Sequence, residues 1–560
     1  MPEDAAAALQ RLAEDYWEGV LRRNPTLATY YGDYRYNDRL PDPGPAGRAA
    51  EEAALTEVLE RLKEIPTDAL STEERITGDM LRISAVHGLA ALRLKFYEWD
   101  VDQMAGPQVW LPELLNWHPL DTPEHLEQLV ARYRAFPQYL ASYLENLRAG
   151  LASGRVAFRV AVERVVDQLR RLLATPVEQS PLIVPIPAEA AQRGALIAAV
   201  EQAVYPAYQQ MLAFLDQEYC PRAREQAGVW AITDGEEAYR ELTRRHTTTD
   251  LTPEQIHQIG LDELASIQAE MREIARRLGN TEDLAEFAQR LKADPNNFYT
   301  SREALLAAFN AILERLQAAL PRAFGRLPKV PCVVRAIEEY RERDSVAAFY
   351  YPPSADGSRP GIFYANTYQP QTRPRYNFEA LTAHEAVPGH HLQIALAQET
   401  EGLPAFRRLG FEATAFVEGW GLYSERLVDE LGLYSGDLDR YGMLGYQAWR
   451  ASRLVVDTGM HALRWTRQQA IDFMITNVGL TEPEVVNEID RYIIWPGQAL
   501  AYMIGQRHFM ELRREAAQRL GPRFDLRAFH DEALAHAALP LSTLKLVIDA
   551  WPGAQPNGAG

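Results

Sequence analysis

Apolar residues recur at three- and four-residue intervals through roughly the first 320 residues, and this period constrains the chain most: it predicts a body built largely of packed helices. Leu9, Leu12, Tyr16 and Val20 form one such stripe, and Leu55, Val58, Leu59, Leu62 and Ile65 form another. Helix starts are marked at Thr122-Pro123-Glu124 and Thr252-Pro253-Glu254, where a hydroxyl able to cap free N–H groups precedes Pro at the first helical position. Thr466 with Gln469 and Thr481 with Glu484 carry the spacing of capping boxes. Residues 329–368 break the pattern. They are rich in β-branched and aromatic side chains, and strands are expected at 330–334, 346–351 and 361–364, with 353–360 as a loop too long for a tight hairpin. The expected fold class is therefore mainly α, a large multi-helix body with a small β-sheet next to the helix that follows it. No Ser/Gly-rich linker, low-complexity tract or repeat interrupts the chain, and 47% of its residues are hydrophobic, enough for a large core. A single body over residues 1–552 is expected, helical over 1–328 and carrying the sheet and the functional residues over 329–552, with a flexible tail over 553–560.

The chemistry concentrates just after the predicted sheet, in Thr382-Ala383-His384-Glu385-Ala386-Val387-Pro388-Gly389-His390-His391, followed by Phe416-Val417-Glu418-Gly419-Trp420. A His-Glu pair, further imidazoles within two helical turns and a carboxylate on the next helix are the parts of a catalytic zinc site, in which two His and one Glu bind the metal and a second Glu handles a proton of water. Three of the 12 His fall in eight residues, which a structural surface helix does not require. The spacing departs from H-E-x-x-H, because position 388 is Pro and the next imidazoles stand six and seven residues after His384. Pro388 cannot donate to the carbonyl of His384, and Gly389 tolerates unusual dihedrals, so a helix with a local bulge is predicted. A bulge that absorbs two residues returns His390 to the place of an i+4 ligand. His391 is its rival, lying roughly 10 Å along the axis from His384 in an unbroken helix. The helix is expected to begin near Asn377 as its cap, with Glu379 in the first turn.

Three stretches together resemble the bacterial proteins called the DUF885 family: residues 384–393, the run Glu418-Gly419-Trp420-Gly421-Leu422-Tyr423-Ser424-Glu425, and Arg491-Tyr492-Ile493 with residues 496–502. The opening, with Asp15-Tyr16-Trp17 and residues 25–29 before Gly32-Asp33, fits the same resemblance. It implies a zinc peptidase of the broad gluzincin type, with a helical fold around a deep cleft similar to thimet-type oligopeptidases and related zinc carboxypeptidases. In those relatives the helix reads His-Glu-x-Gly-His, so this chain looks like that pattern with two residues inserted. The resemblance implies that His384, His390 and Glu418 hold one zinc per chain, that Glu385 is the general base, and that a downstream tyrosine, Tyr502 or failing that Tyr492, supports the oxyanion. It also implies that a strand before the metal helix pairs with the substrate, which nominates Phe363, Tyr364, Ala365 and Asn366 as contacts.

Three further residues are candidates on their chemistry. Glu425 stands two turns after Glu418 on one helix face and is suited to accept a hydrogen bond from a ligating imidazole, with a surface salt bridge as the alternative. Arg507 offers a guanidinium for a substrate carboxylate. Arg453, Asp457 and His461 form a polar stripe that reads equally as a solvated face, with His461 a weak candidate donor.

The formal net charge is −19, from 58 basic and 77 acidic residues dispersed along the chain. This disfavours nucleic acid and anionic membrane surfaces as partners. Cys220 and Cys332 are too few for a disulfide framework. No basic and apolar leader and no membrane-length apolar run is present, so a cytoplasmic protein is expected. No G-x-S-x-G elbow, P-loop or G-x-G-x-x-G fingerprint occurs. The leading expectation is a zinc metallopeptidase acting on short peptides. A zinc hydrolase of a non-peptide amide or ester, or a non-catalytic peptide-binding protein, is the alternative, and oligomeric state is left open.

Overall fold

The computed structural model describes residues 5–337, 342, 346–354, 359–411 and 413–553. Residues 554–560 of the expected tail and part of the 353–360 loop fall outside them. The chain packs as two compact units: Met1–Glu241 with Pro404–Phe406 and Asp490–Trp495, and Leu242–Leu403 with Arg407–Ile489 and Pro496–Gly560. The division thus falls after Glu241, not at residue 328 where composition changes.

The principal helices of the first unit are α1 (Ala5–Arg23), α2 (Pro45–Glu64), α3 (Thr72–Arg93), α4 (Pro123–Ser153), α5 (Arg159–Ala174) and α6 (Tyr205–Phe214). Leu9 and Leu12 on α1 and Leu55, Val58 and Leu62 on α2 are buried, as the stripes require, while Tyr16, Val20 and Leu59 stand half-buried at the margins. A second core joins Tyr133, Phe136 and Leu140 of α4 to Val162, Val165 and Leu169 of α5 and to Tyr208 and Met211 of α6. Thr122 caps α4 by accepting from His125 N–H.

The second unit opens with α7 (Pro253–Gly279), begun by a full capping box between Thr252 and Gln255, and α8 (Arg302–Ala319). Strands β1 (Cys332–Ala336), β2 (Ala348–Tyr351) and β3 (Gly361–Ala365) follow in the spatial order β1-β3-β2, with β1 parallel and β2 antiparallel to β3. Next come α9 (Phe378–Glu385), α10 (His390–Glu399), α11 (Thr414–Glu430), α12 (Asp437–His461) and α13 (Ala501–Leu520). A fully apolar stretch of α12, from Leu454 to Val456, lies against α7. Helices α11 and α13 meet backbone to backbone: a Cβ built on Gly419 stands 2.4 Å from Gly505 Cα, and one built on Gly505 stands 1.8 Å from the carbonyl oxygen of Ala415. No side chain larger than hydrogen fits there. Mainly α architecture with a small sheet before the helix that carries His384 is thus what the structure contains. Among the described residues no helix is long and apolar enough to cross a membrane, and both cysteines are free thiols.

Candidate metal centre

The helix carrying His384 stops at Glu385 and α10 restarts at His390, so the Pro388-Gly389 insertion breaks the helix where a bulge was expected. The Val387–Pro388 peptide is cis. Residues 386–389 are held at both ends: Ala386 N–H donates to the Thr382 carbonyl, and His391 N–H reaches back to that of Ala386 at 3.0 Å. Trp420 of α11 donates its indole N–H to the Pro388 carbonyl at 2.8 Å. Gly389 cannot be replaced without conflict, since a Cβ there stands 1.9 Å from the His384 carbonyl oxygen. Asn377 does occupy the cap position of α9, but its side chain makes no capping bond. Glu379 in the first turn is engaged by Arg315 and by Ser435 N–H at 2.8 Å.

The break does what the bulge was expected to do. His390 returns beside His384, with ring centres 4.7 Å apart and planes nearly perpendicular. Glu418 on α11 completes the group: its Oε2 lies 3.6 Å from His384 Nε2 and 3.5 Å from His390 Nε2, and the three ligand atoms fall within 4.8 Å of one another. Donors bonded at ~2.1 Å to a tetrahedral zinc stand about 3.4 Å apart, and the 3.6 and 3.5 Å from Glu418 Oε2 to the two imidazole nitrogens match that spacing. Gly421 keeps the approach open, because a Cβ there would sit 2.8 Å from His384 Nε2. His384 donates from Nδ1 to Glu425 Oε1 at 2.9 Å, which leaves the Nε2 lone pair facing the site. Glu425 is fully buried, and its second oxygen accepts from Gln447 Nε2 at 3.1 Å. Gln447 in turn accepts from Gln506 Nε2 at 2.7 Å. Glu425 thus makes a hydrogen bond to the His384 imidazole, as expected, and the two glutamines extend this chain of bonds to α12 and α13.

His391 points elsewhere. Its Nε2 donates to the Val330 carbonyl at 3.1 Å, and its Nδ1 accepts from the Tyr350 hydroxyl at 2.9 Å, so it ties the sheet to α10 and both its nitrogens are used. Burial pushes this imidazole down to about 4, against the opposing hydrogen bond to Val330. It is not brought to the cluster.

Electrostatics separate the two glutamates of the site. Burial works against the Glu418 charge, yet the His384 and His390 imidazoles hold its carboxyl well below the usual carboxylate range. Burial likewise disfavours the imidazolium of His384, but Glu418 and Glu425 overcome it and raise the group to about 9. Glu385, beside the cluster but outside the ligand set, is pushed upward by burial, only partly offset by His390 and His384.

Other expected site residues divide. Tyr502, half-buried on α13, stacks its ring 6.4 Å from that of His384 and lies under the guanidinium of Arg453 at 4.5 Å. Tyr492 belongs to the first unit, where Arg491 covers its ring at 4.9 Å. Arg507 is exposed and paired with Glu263 of α7, outside the cluster. Arg453, Asp457 and His461 are buried, so the stripe is not a solvated face. Asp457 accepts from Gly497 N–H at 3.1 Å, and Arg453 pairs with Glu488 at 3.2 Å. His461 lies at the C-terminal end of α12, away from the ligand group.

The strand expectation is corrected. β3 is the central strand, bonded on both sides, and cannot receive an added peptide strand. Phe363 is fully buried against Phe309, with ring centres 5.1 Å apart. Tyr364 stacks on Phe349 at 5.0 Å, and the Ala365 carbonyl is taken by Ile337 N–H. Asn366 donates its side-chain amide to the Glu342 and Val346 carbonyls. These four residues brace the sheet. Sequence reasoning missed Trp420 and Gly421, although both lie inside the quoted family run, and missed Gln447 and Gln506, which no motif marks.

The crystal structure of a protein from Colwellia psychrerythraea, described as a "putative lipoprotein", is 30% identical and superposes with a TM-score of 0.92 over 98% of this chain and 100% of that one. A "putative lipoprotein of unknown function" from Shewanella oneidensis, 20% identical, shares the fold with a TM-score of 0.77 over 96% of this chain and 99% of that one. No curated protein matches the chain. The family model described as "Bacterial protein of unknown function (DUF885)" matches residues 25–548, and the chain belongs to that family.

Proposed function

We propose that this protein is a zinc-dependent peptidase that hydrolyses short oligopeptides. The observation that carries the reading is the convergence of His384, His390 and Glu418 with a second glutamate, Glu385, held beside them but outside the ligand set. Zinc held by those three residues supplies Lewis acidity toward a peptide carbonyl and acidifies a water. Glu385 takes a proton from the attacking water at its carboxylate and passes it to the leaving amine, and its upward-shifted carboxyl suits both transfers. The Tyr502 phenol donates a hydrogen bond to the developing oxyanion. Glu425 keeps the Nδ1 proton of His384 in place throughout. Both imidazoles are buried and the Glu418 side chain is only 20% exposed, which favours short flexible peptides over folded proteins.

Metal analysis of the purified protein and mass spectrometry of a digested peptide library test the reading together. One zinc per chain and cleavage of short peptides are expected. Glu385→Gln should keep the zinc and lose on the order of 100-fold or more in turnover. Stoichiometric metal surviving both His384→Ala and Glu418→Ala would sink the ligand assignment, and cleavage confined to acyl esters would favour a non-peptide hydrolase. The description of both structural relatives as "putative lipoproteins" favours a place outside the cytoplasm over the cytoplasmic expectation. Fractionation of cells expressing the natural gene decides between them.

A further inference from the structure

Three buried imidazoles of this chain use both ring nitrogens. His118 Nε2 donates to the His125 carbonyl at 2.7 Å while its Nδ1 accepts from Arg132 at 3.0 Å, His391 bonds Val330 and Tyr350, and His530 bonds Ala323 and Tyr423. His384 gives one edge to Glu425 and turns the other toward the ligand group. His390 differs. Its Nε2 faces Glu418 Oε2 at 3.5 Å, but Nδ1, on the other edge of the ring, is buried and has no partner among the described residues. An imidazole that binds a metal through Nε2 carries its proton on Nδ1, and that N–H needs an acceptor.

The complementary group stands three residues along the same helix. Gln393 of α10 is 3% exposed, and its Oε1 is buried with no partner among the described residues. Side chains three apart on a helix are surface neighbours, with Cβ atoms about 5–6 Å apart, and helical side chains lean toward the N-terminus, so Gln393 leans over the turn that His390 begins. The backbone acceptors beside that turn are already engaged: the Ala386 carbonyl accepts from His391 N–H at 3.0 Å, and the Gly389 carbonyl from Gln393 N–H at 3.1 Å. One unpartnered atom is a donor when the ring binds metal and the other can only accept, and the last torsion of a glutamine is soft enough to bring them together. Resting on the reading of the cluster as a zinc site, we propose that Gln393 Oε1 accepts the Nδ1–H of His390 and so fixes the nitrogen that this ring presents beside Glu418. Gln393 is then a positioning residue, the counterpart of Glu425 at His384. The two acceptors differ in charge: a neutral amide adds no fourth buried carboxylate to a site that already holds Glu385, Glu418 and Glu425.

Two measurements test this, and neither reads turnover. In a crystal structure of the zinc-loaded protein the Gln393 amide oxygen should stand about 2.7–3.2 Å from His390 Nδ1. A water or the Glu385 carboxylate in that place overturns the assignment. Competition with a chromophoric chelator then compares variants. Gln393→Met keeps the length of the side chain and removes the acceptor, so zinc affinity should fall about 10- to 100-fold; Gln393→Glu restores an acceptor and should recover most of the loss. Melting of the zinc-free proteins verifies that each is folded, and if Gln393→Met is not, the crystallographic distance decides. Wild-type affinity in Gln393→Met, or an equal loss in both variants, means that the side chain only fills space and overturns the pairing. Zinc bound with this dependence by a protein that cleaves no peptide leaves the pairing standing and removes the peptidase reading alone, whereas a wild-type protein that binds no zinc removes both.

Discussion

Replacing Gly419 by alanine should damage the proposed metal centre without touching a proposed ligand. The new Cβ would lie 2.4 Å from Gly505 Cα, 2.5 Å from Gly505 C and 2.9 Å from Gln506 N, all backbone atoms that cannot swing aside. Carbon atoms in contact settle at about 3.5–4.0 Å, so α11 and α13 must part by roughly 1 Å. Overpacking of this kind costs about 1–3 kcal/mol. Glu418 is the adjacent residue, and its Oε2 sits 3.5 and 3.6 Å from two imidazole nitrogens. A shift near 1 Å exceeds the ~0.2 Å tolerance of a metal–ligand distance several times over. Zinc affinity should therefore fall on the order of 10- to 100-fold, the scale at which groups supporting a ligand act. Competition with a chromophoric chelator measures the affinity, and thermal melting of the metal-free protein measures the stability term. Gly445→Ala on α12 is the control: its Cβ meets nothing within 4 Å, so it should gain roughly 0.5–1 kcal/mol from helix propensity and leave zinc binding alone. A Gly419→Ala protein with wild-type melting and wild-type zinc affinity would refute the argument that this close approach places Glu418.

Glu425→Ala strips His384 Nδ1 and the Gln447 amide of their acceptor, so zinc affinity should drop about 10- to 100-fold by the same chelator assay, and an unchanged affinity would dismiss the orienting role. His391→Ala should retain one zinc per chain while losing about 1–3 kcal/mol in urea unfolding, because the Tyr350 hydroxyl and the Val330 carbonyl lose their shared partner; loss of metal would reinstate His391 as a ligand. His530 stands fully buried between the Tyr423 hydroxyl and the Ala323 carbonyl, and burial pushes it from 6.5 to about 3. Between those values the unfolded chain takes up a proton that the folded one refuses, so this imidazole adds stability that is complete above pH 6.5 and drains as pH falls, by up to about 1.4 kcal/mol per pH unit. Urea unfolding at pH 7 and pH 5 should accordingly show a smaller pH loss in His530→Gln than in the wild type, and equal losses would rule the linkage out.

The helices of the first unit and the positions of the strands were legible because burial periodicity is a local property: Leu9, Leu12, Leu55 and Val58 lie where a 3.6-residue period puts them. The clustering of His384, His390 and Glu418 was legible for a related reason, since they stand at spacings that a disturbed helix and its successor can bring together. What neighbouring elements decide was not. Strand order is such a case: β1, β2 and β3 are similar in composition, and only their pairing makes β3 central and closes it to a peptide. The stripe Arg453, Asp457 and His461 has the polarity of an exposed face, and burial of α12 among its neighbours overrides that polarity.

By itself, then, the sequence determined that the chain is helical, where the sheet begins and which side chains can hold a metal, because backbone propensity and donor chemistry reside in the residues themselves. Only the tertiary structure decided that the helix breaks at Glu385, where the Trp420 indole of another helix takes the Pro388 carbonyl. It also decided that His391 serves the sheet. These outcomes depend on atoms dozens of residues apart along the chain and a few ångströms apart in space, a proximity that packing alone creates.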